Sequence, residues 1–202
     1  MNNTLKYITQ KYNFDLESSS PISLDDTRYG LAILFKELGY KVGAEIGVDR
    51  GLYSEALSIA NPGVKLYCID PWKVYNEYDD ITDQHTLNVN YNCTIKRLAP
   101  YNCEIIRKFS VEAINDFADG SLDFIYIDGN HTFNYVLEDI NKWSKKVKPR
   151  GIVSGHDYIL RSHQRKAGFD VKNALELHLQ NNKTTQLFLL TKKGSSSWFY
   201  IK

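Results

Sequence analysis

Cysteine is scarce in this 202-residue sequence: Cys68, Cys93 and Cys103 are all there is, and no two form a CxxC pair. An odd number without metal or disulfide spacing argues for reduced thiols acting as small apolar residues in a cytoplasm. Long apolar runs are missing too. No stretch approaches the roughly 20 residues of a membrane helix, and residues 1–14 are polar and broken by charge, without the apolar core of a signal peptide. Nor is there an excess of charge: 25 basic against 24 acidic residues leave a net charge of +1, and no lysine/arginine run marks a local patch. A polyanion therefore finds no field to attract it. The expectation is a soluble, cytoplasmic protein with no nucleic-acid or membrane partner and a small or uncharged substrate.

What the sequence does contain is alternation. Its length suits one domain, which buries roughly 70% of its unfolded surface, and no internal repeat suggests otherwise. Residues 1–41 read as an N-terminal helical extension, in which Leu31, Leu34, Phe35 and Leu38 fall at helical spacing ahead of Gly39. Residues 42–202 read as the main domain. Short apolar segments at 42–47, 64–70, 103–107, 122–128 and 152–155 have the character of strands, each but the last followed by a helical stripe. Ser110 is placed to cap the helix after the third of them. The segment at 122–128 is apolar almost throughout, as expected of a strand covered on both faces. Strands alternating with helices predict a parallel sheet wound by right-handed crossovers. After a helix carrying Val171, Ala174, Leu175 and Leu179, segments at 186–191 and 197–201 are joined by so short a link that they predict an antiparallel pair.

In such a sheet, ligands gather beyond the carboxyl ends of the strands. There the sequence turns polar. The first strand runs into Glu45-Ile46-Gly47-Val48-Asp49-Arg50-Gly51, a carboxylate followed by glycines that let backbone approach a ligand at the start of a helix. The second ends at Asp70, where a carboxylate accepts ribose hydroxyls. Asp128 and His131 follow the fourth strand and His156-Asp157 the fifth, so all four converge on one cleft. An imidazole titrates near neutral pH and suits a general base. His163 and His178 read as ordinary polar residues.

Glu-x-Gly-x-x-x-Gly on one strand with Asp70-Pro71-Trp72 on the next resembles the class I S-adenosylmethionine-dependent methyltransferase site. It departs from the G-x-G-x-x-G of dinucleotide enzymes, which weighs against an NAD-dependent oxidoreductase. The likeness continues through residues 121–131 and 155–158 and is similar to the macrolide-sugar O-methyltransferases and their cephalosporin-biosynthesis relatives. The resemblance implies a Rossmann-like α/β fold: a mostly parallel seven-stranded sheet with an antiparallel C-terminal strand and helices on both faces. It implies S-adenosyl-L-methionine as cofactor, with Glu45 and Gly47 at its methionine end, Asp70 at the ribose and Trp72 and Ser110 near the adenine. Gly51, Ser54 and Asp128 complete the expected cofactor set, Ser54 together with Tyr53 by bonding the cofactor carboxylate.

His131 is expected as the base, assisted by Asp128, with His156 the second candidate. The subgroup also implies a divalent cation, usually magnesium, on Asp128 and an acidic pair. Here that pair is His156-Asp157, and an imidazole among hard oxygen donors weakens a magnesium site or favours another metal. The expected function is O-methylation of a hydroxyl on a sugar or small-molecule acceptor; a non-catalytic cofactor-binding module is the alternative. A homo-oligomer is compatible with either. The acceptor itself would be chosen by residues 1–28, 75–84 and 159–169, where Tyr75, Tyr78 and Tyr158 are available for stacking.

Overall fold

The structure, a computed structural model, describes residues 3–15, 17–75, 83–158, 170–184, 186–192 and 196–202. Tyr78, His163 and the expected acceptor loop at 159–169 lie outside them. Helix α1 (Asn3–Tyr12), strand β1 (Ile22–Leu24) and helix α2 (Arg28–Glu37) precede the alternating region. There β2 (Val42–Ile46), α3 (Leu52–Ala60), β3 (Lys65–Ile69), α4 (Gln84–Leu98), β4 (Cys103–Ile106), α5 (Ser110–Ala113), β5 (Leu122–Ile127), α6 (Phe133–Trp143) and β6 (Val147–Gly155) follow one another. Helix α7 (Val171–Asn181), β7 (Phe188–Leu190) and β8 (Ser197–Ile201) close the chain.

These strands form one sheet in the order β1-β7-β8-β6-β5-β2-β3-β4. The seven expected strands are all present, and β8 runs antiparallel to both β6 and β7. An eighth strand, which the helical reading of residues 1–41 did not foresee, joins them: β1 pairs in parallel with β7 at the sheet's edge. At three residues, β1 is too short to show a period.

Helices cover both faces. Leu31, Leu34 and Phe35 of α2 and Leu57 of α3 pack with Phe124 and Tyr126 on one side, while Val136, Ile140 and Trp143 of α6 and Leu175 of α7 pack with Ile125 and Ile127 on the other. The two sets of β5 side chains alternate as a strand's must, and each fully buried side chain of this size contributes about 1.5–3 kcal/mol. Helix α6 buries residues at spacings of four and three, which is why its stripe was readable. His178 is buried and satisfied, with Asn141 on Nδ1 at 2.6 Å and Tyr200 on Nε2 at 2.8 Å. Among the described residues, no helix is long and apolar enough to cross a membrane.

Candidate active site

From β2 the chain winds outward to β3 and β4; from β5 it winds the other way to β6. The carboxyl ends of β2 and β5 therefore flank the point where the winding reverses, the place where open α/β sheets bind ligands. A cleft opens there. Gly47, Asp70, Trp72, Ser110 and Asp128 all line it, as do Phe109, Tyr75, Tyr135 and Asp139. Non-glycine residues with positive φ sit at three strand ends around it, Asp49, Trp72 and Asp157. Such conformations cost about 1–3 kcal/mol and persist only where their surroundings hold them.

Gly47 has a more specific task than making room for a ligand. With φ at 86°, a Cβ placed on it would lie 2.2 Å from the carbonyl oxygen of Asp128. Glycine is what lets the ends of β2 and β5 close together and brings Asp128 to the cleft. Asp70 holds the neighbouring loop: Oδ2 accepts the N–H groups of Val48 and Asp49 at 2.9 and 3.0 Å, and Oδ1 that of Trp72 at 2.8 Å. Burial raises its pKa, and these backbone bonds offset part of the rise. With one bond made by Oδ1, a lone pair there remains for a ligand hydroxyl.

Glu45, Ser54 and Gly51 lie outside the cleft wall. Glu45 is 2% exposed and points to the opposite face, where the Ser54 hydroxyl donates to its Oε2. Gly51, at φ 73°, starts α3 and faces Thr94, Arg97 and Leu98 of α4. Trp72 lines the cleft but is fully buried; its indole N–H donates to the Asp49 carbonyl at 2.7 Å and its ring packs on Tyr91. No face of that ring is exposed for stacking. Ser110 is the first residue of α5 and not its cap; the cap position is Phe109, whose N–H donates to Glu112 at 3.1 Å.

Burial pushes the Glu45 carboxyl up to about 8, with the Ser54 hydrogen bond offsetting part of the rise. The folded protein thus keeps a proton that the unfolded chain loses above its ordinary value of 4.5. This stabilisation is complete below that value and is lost as pH rises through 8. Thermal melts of Glu45→Gln should accordingly decline less steeply than wild type between these limits; parallel profiles would mean that Glu45 is ionised in the folded chain.

At the other end of the cleft the expected chemical residues meet. His131 Nε2 lies 3.0 Å from Asp157 Oδ2 and 3.5 Å from Asp128 Oδ1. His156 Nδ1 lies 2.8 Å from Asp157 Oδ1 but 4.0 Å from Asp128. Burial works against a charged His131, yet its hydrogen bonds with Asp128 and Asp157 outweigh that and push it up to about 10. Hydrogen bonds from His131 and His156, with their charges, overcome the burial of Asp157 and hold it below the ordinary carboxylate range. Ligand atoms of Asp128, His131 and Asp157 all fall within 4.8 Å of one another. The histidine that completes this triangle is His131, whereas the expected metal set had His156. Two carboxylates and one imidazole fit a divalent ion of the manganese-to-zinc series better than magnesium.

Arg28, which nothing in its local sequence marks, completes the cluster. It opens α2, lies 3.6 Å from Asp128 Oδ2 and stacks its guanidinium 5.2 Å from the centre of the Tyr53 ring. Tyr75 reaches the cleft, edge-on to Phe109 at 5.3 Å and 6.0 Å from Tyr135. Tyr158 is buried instead, donating to Glu176 at 2.8 Å.

Known proteins resemble this chain in sequence or in fold. The chain is 24% identical over 131 residues to the uncharacterized protein y4gI of Sinorhizobium fredii, spanning 61% of this chain but only 13% of that protein. Three solved structures have the same fold at low identity. They are a caffeoyl-CoA O-methyltransferase candidate from Staphylococcus aureus (TM-score 0.63, 14% identity, 98% of this chain and 90% of that one), the O-methyltransferase from Bacillus cereus in complex with SAH (0.60, 14%, 98% and 90%), and TomG from Streptomyces achromogenes with SAM (0.59, 16%, 98% and 88%). The methyltransferase domain family matches residues 44–158. The chain belongs to that family of methyltransferase domains.

Proposed function

We propose that the chain moves the methyl group of S-adenosylmethionine to a hydroxyl of a small metabolite, with sugars the foremost class. One observation carries this reading: Asp128 belongs both to the cleft at the switch point of the sheet and to the carboxylate–imidazole cluster beside it. Methyl transfer is an in-line displacement, so methyl donor and proton acceptor must meet at one place. The structural neighbours from Bacillus cereus and Streptomyces achromogenes are O-methyltransferases, which favours oxygen as the nucleophile.

In this reading Asp70 takes the ribose hydroxyls, Phe109 and Ser110 border the adenine, and Gly47 and Asp128 adjoin the methionine end. Glu45 and Ser54 act from behind the cleft wall, and Trp72 positions the Asp49 carbonyl. Tyr75 and Tyr135 offer flat surfaces for the acceptor. Its hydroxyl loses a proton at the Asp128–His131–Asp157 cluster, with His131 as the group that accepts it. A divalent cation held by these three residues would orient and acidify the hydroxyl, with His131 then serving as a nitrogen ligand.

Asp70→Ala should weaken S-adenosylmethionine binding by about 1.5–3 kcal/mol, the usual loss for hydrogen bonds to a charged group. Titration calorimetry measures it, with Asp70→Asn as the control that keeps the side chain's shape. Unchanged affinity in both variants would remove the cofactor from this cleft. Release of S-adenosylhomocysteine against a panel of sugar and phenolic hydroxyls then tests the acceptor class.

A further inference from the structure

Two thiols take no part in the chemistry above, yet the sheet brings them together. Cys68 on β3 and Cys103 on β4 lie on the same face, the one that α3 covers. Cys68 stands opposite Ile105 and Cys103 opposite Leu66, so the two are diagonal neighbours. Their thiols share a hydrogen bond, and Cys103 Sγ also lies 3.3 Å from the Ser58 hydroxyl. The pair is unequal. Cys68 is buried and Cys103 only half-buried, and Ser58 and Asn102 beside Cys103 line a surface cavity. The bond between the thiols, with burial, raises Cys68; the same bond, with Ser58, holds Cys103 below the ordinary thiol range. An accessible, readily ionised thiol against a buried, protonated one is the arrangement of an attacking and a resolving cysteine.

We propose that Cys103 and Cys68 form a site of reversible oxidation by hydroperoxides, and that closing their disulfide loosens the cleft. The Cys103 thiolate attacks one peroxide oxygen and the O–O bond breaks. The departing hydroxide leaves as water with the proton that Cys103 gave up. Cys68 sulfur then attacks the sulfenic sulfur, the S–S bond forms, and the second hydroxide leaves as water with the Cys68 proton. Two thiols are oxidised by two electrons in total, and the peroxide is reduced to water. Diagonal neighbours in a sheet lie about 7–8 Å apart at Cα, whereas disulfides span about 4.4–6.8 Å, so closure pulls β4 along β3. As the edge strand, β4 is held on one side only. The β3–β4 ladder ends where the Asp70 N–H donates to the Ile106 carbonyl at 3.2 Å, and Asp70 ties down the loop at Val48 and Asp49. A pull on Cys68 therefore reaches the carboxylate that, in the cofactor reading on which this second step rests, holds the ribose. Strain of this kind also makes the bond easy to reduce.

Peptide mapping of the whole chain after hydrogen peroxide treatment tests the site. The expected product is a Cys68–Cys103 disulfide that dithiothreitol reverses, with Cys93 left as a thiol. A bridge through Cys93, oxidation of Cys103 beyond the sulfenic acid with Cys68 still free, or thiols that all stay reduced would overturn the pairing. In Cys68→Ser the sulfenic acid on Cys103 has no partner and should be trapped by dimedone; a folded variant without the adduct removes Cys103 as the attacking thiol. If the variant does not fold, the wild-type map decides. Calorimetry with S-adenosyl-L-homocysteine reads the effect on the cleft: the oxidised chain should bind about 10-fold more weakly, and dithiothreitol should restore the affinity. Equal affinity in both states overturns the link to the cleft. Failure of the reduced wild type to bind S-adenosylhomocysteine rejects the cofactor reading instead, while the peptide map still decides for the thiols.

Discussion

Replacing His131 with alanine should lower turnover by about 10²- to 10⁴-fold, the span attributable to a positioned acid or base, with cofactor affinity almost unchanged. An alkyl hydroxyl is far too weak an acid to ionise at neutral pH, so attack on the methyl group needs a proton acceptor. His131 stands between two carboxylates that strengthen its hold on a proton, which moves the base limb of the rate profile from neutrality to higher pH. If it accepts the acceptor's proton, turnover should climb from pH 7 toward about 10, and His131→Ala should lack that climb. A variant that keeps both rate and profile sends the search to His156, whose Nδ1 is already oriented by Asp157.

If Asp128, His131 and Asp157 hold a divalent ion, chelation should abolish transfer, and manganese or cobalt should restore more of it than magnesium does, because the cluster offers an imidazole beside its two carboxylates. Metal titration of His131→Ala then separates the two roles of this residue. A ligand's loss weakens ion affinity, whereas a base's loss leaves it intact. Full turnover in excess chelator would show that the cluster moves the proton without an ion.

The legible parts of this molecule were those that local sequence decides. Asp128, His131, His156 and Asp157 were found together because they follow adjacent strands, and strand ends in a parallel sheet share one rim. The helical stripe of α6 betrayed itself by its period. Glu45 was harder. In a strand buried on both faces, hydrophobicity does not say which residues line the cleft, and Glu45 faces Ser54 instead. Trp72 carried no sign that its indole would be sealed against Tyr91. Asp139 and Tyr135 sit within a helix whose pattern advertises only its apolar side. Arg28 reaches the cluster from a helix distant in sequence, and only the packing of α2 against α3 brings it there. Phe109 had the best available signal, an aromatic residue directly before Ser110 where β4 gives way to α5.

The pairing of β1 with β7 bears on where this protein's folding unit begins. Family likeness starts at residue 44, yet Ile22, Ser23 and Leu24 lie alongside Phe188, Leu189 and Leu190, and the Thr4 hydroxyl donates to the Arg150 carbonyl at 2.9 Å. Cutting the chain at the family boundary would strip the neighbour from β7 and bare a row of backbone groups, the kind of edge that recruits other chains into aggregates. This stretch ahead of the family match is, mechanically, the hem that keeps the sheet from fraying.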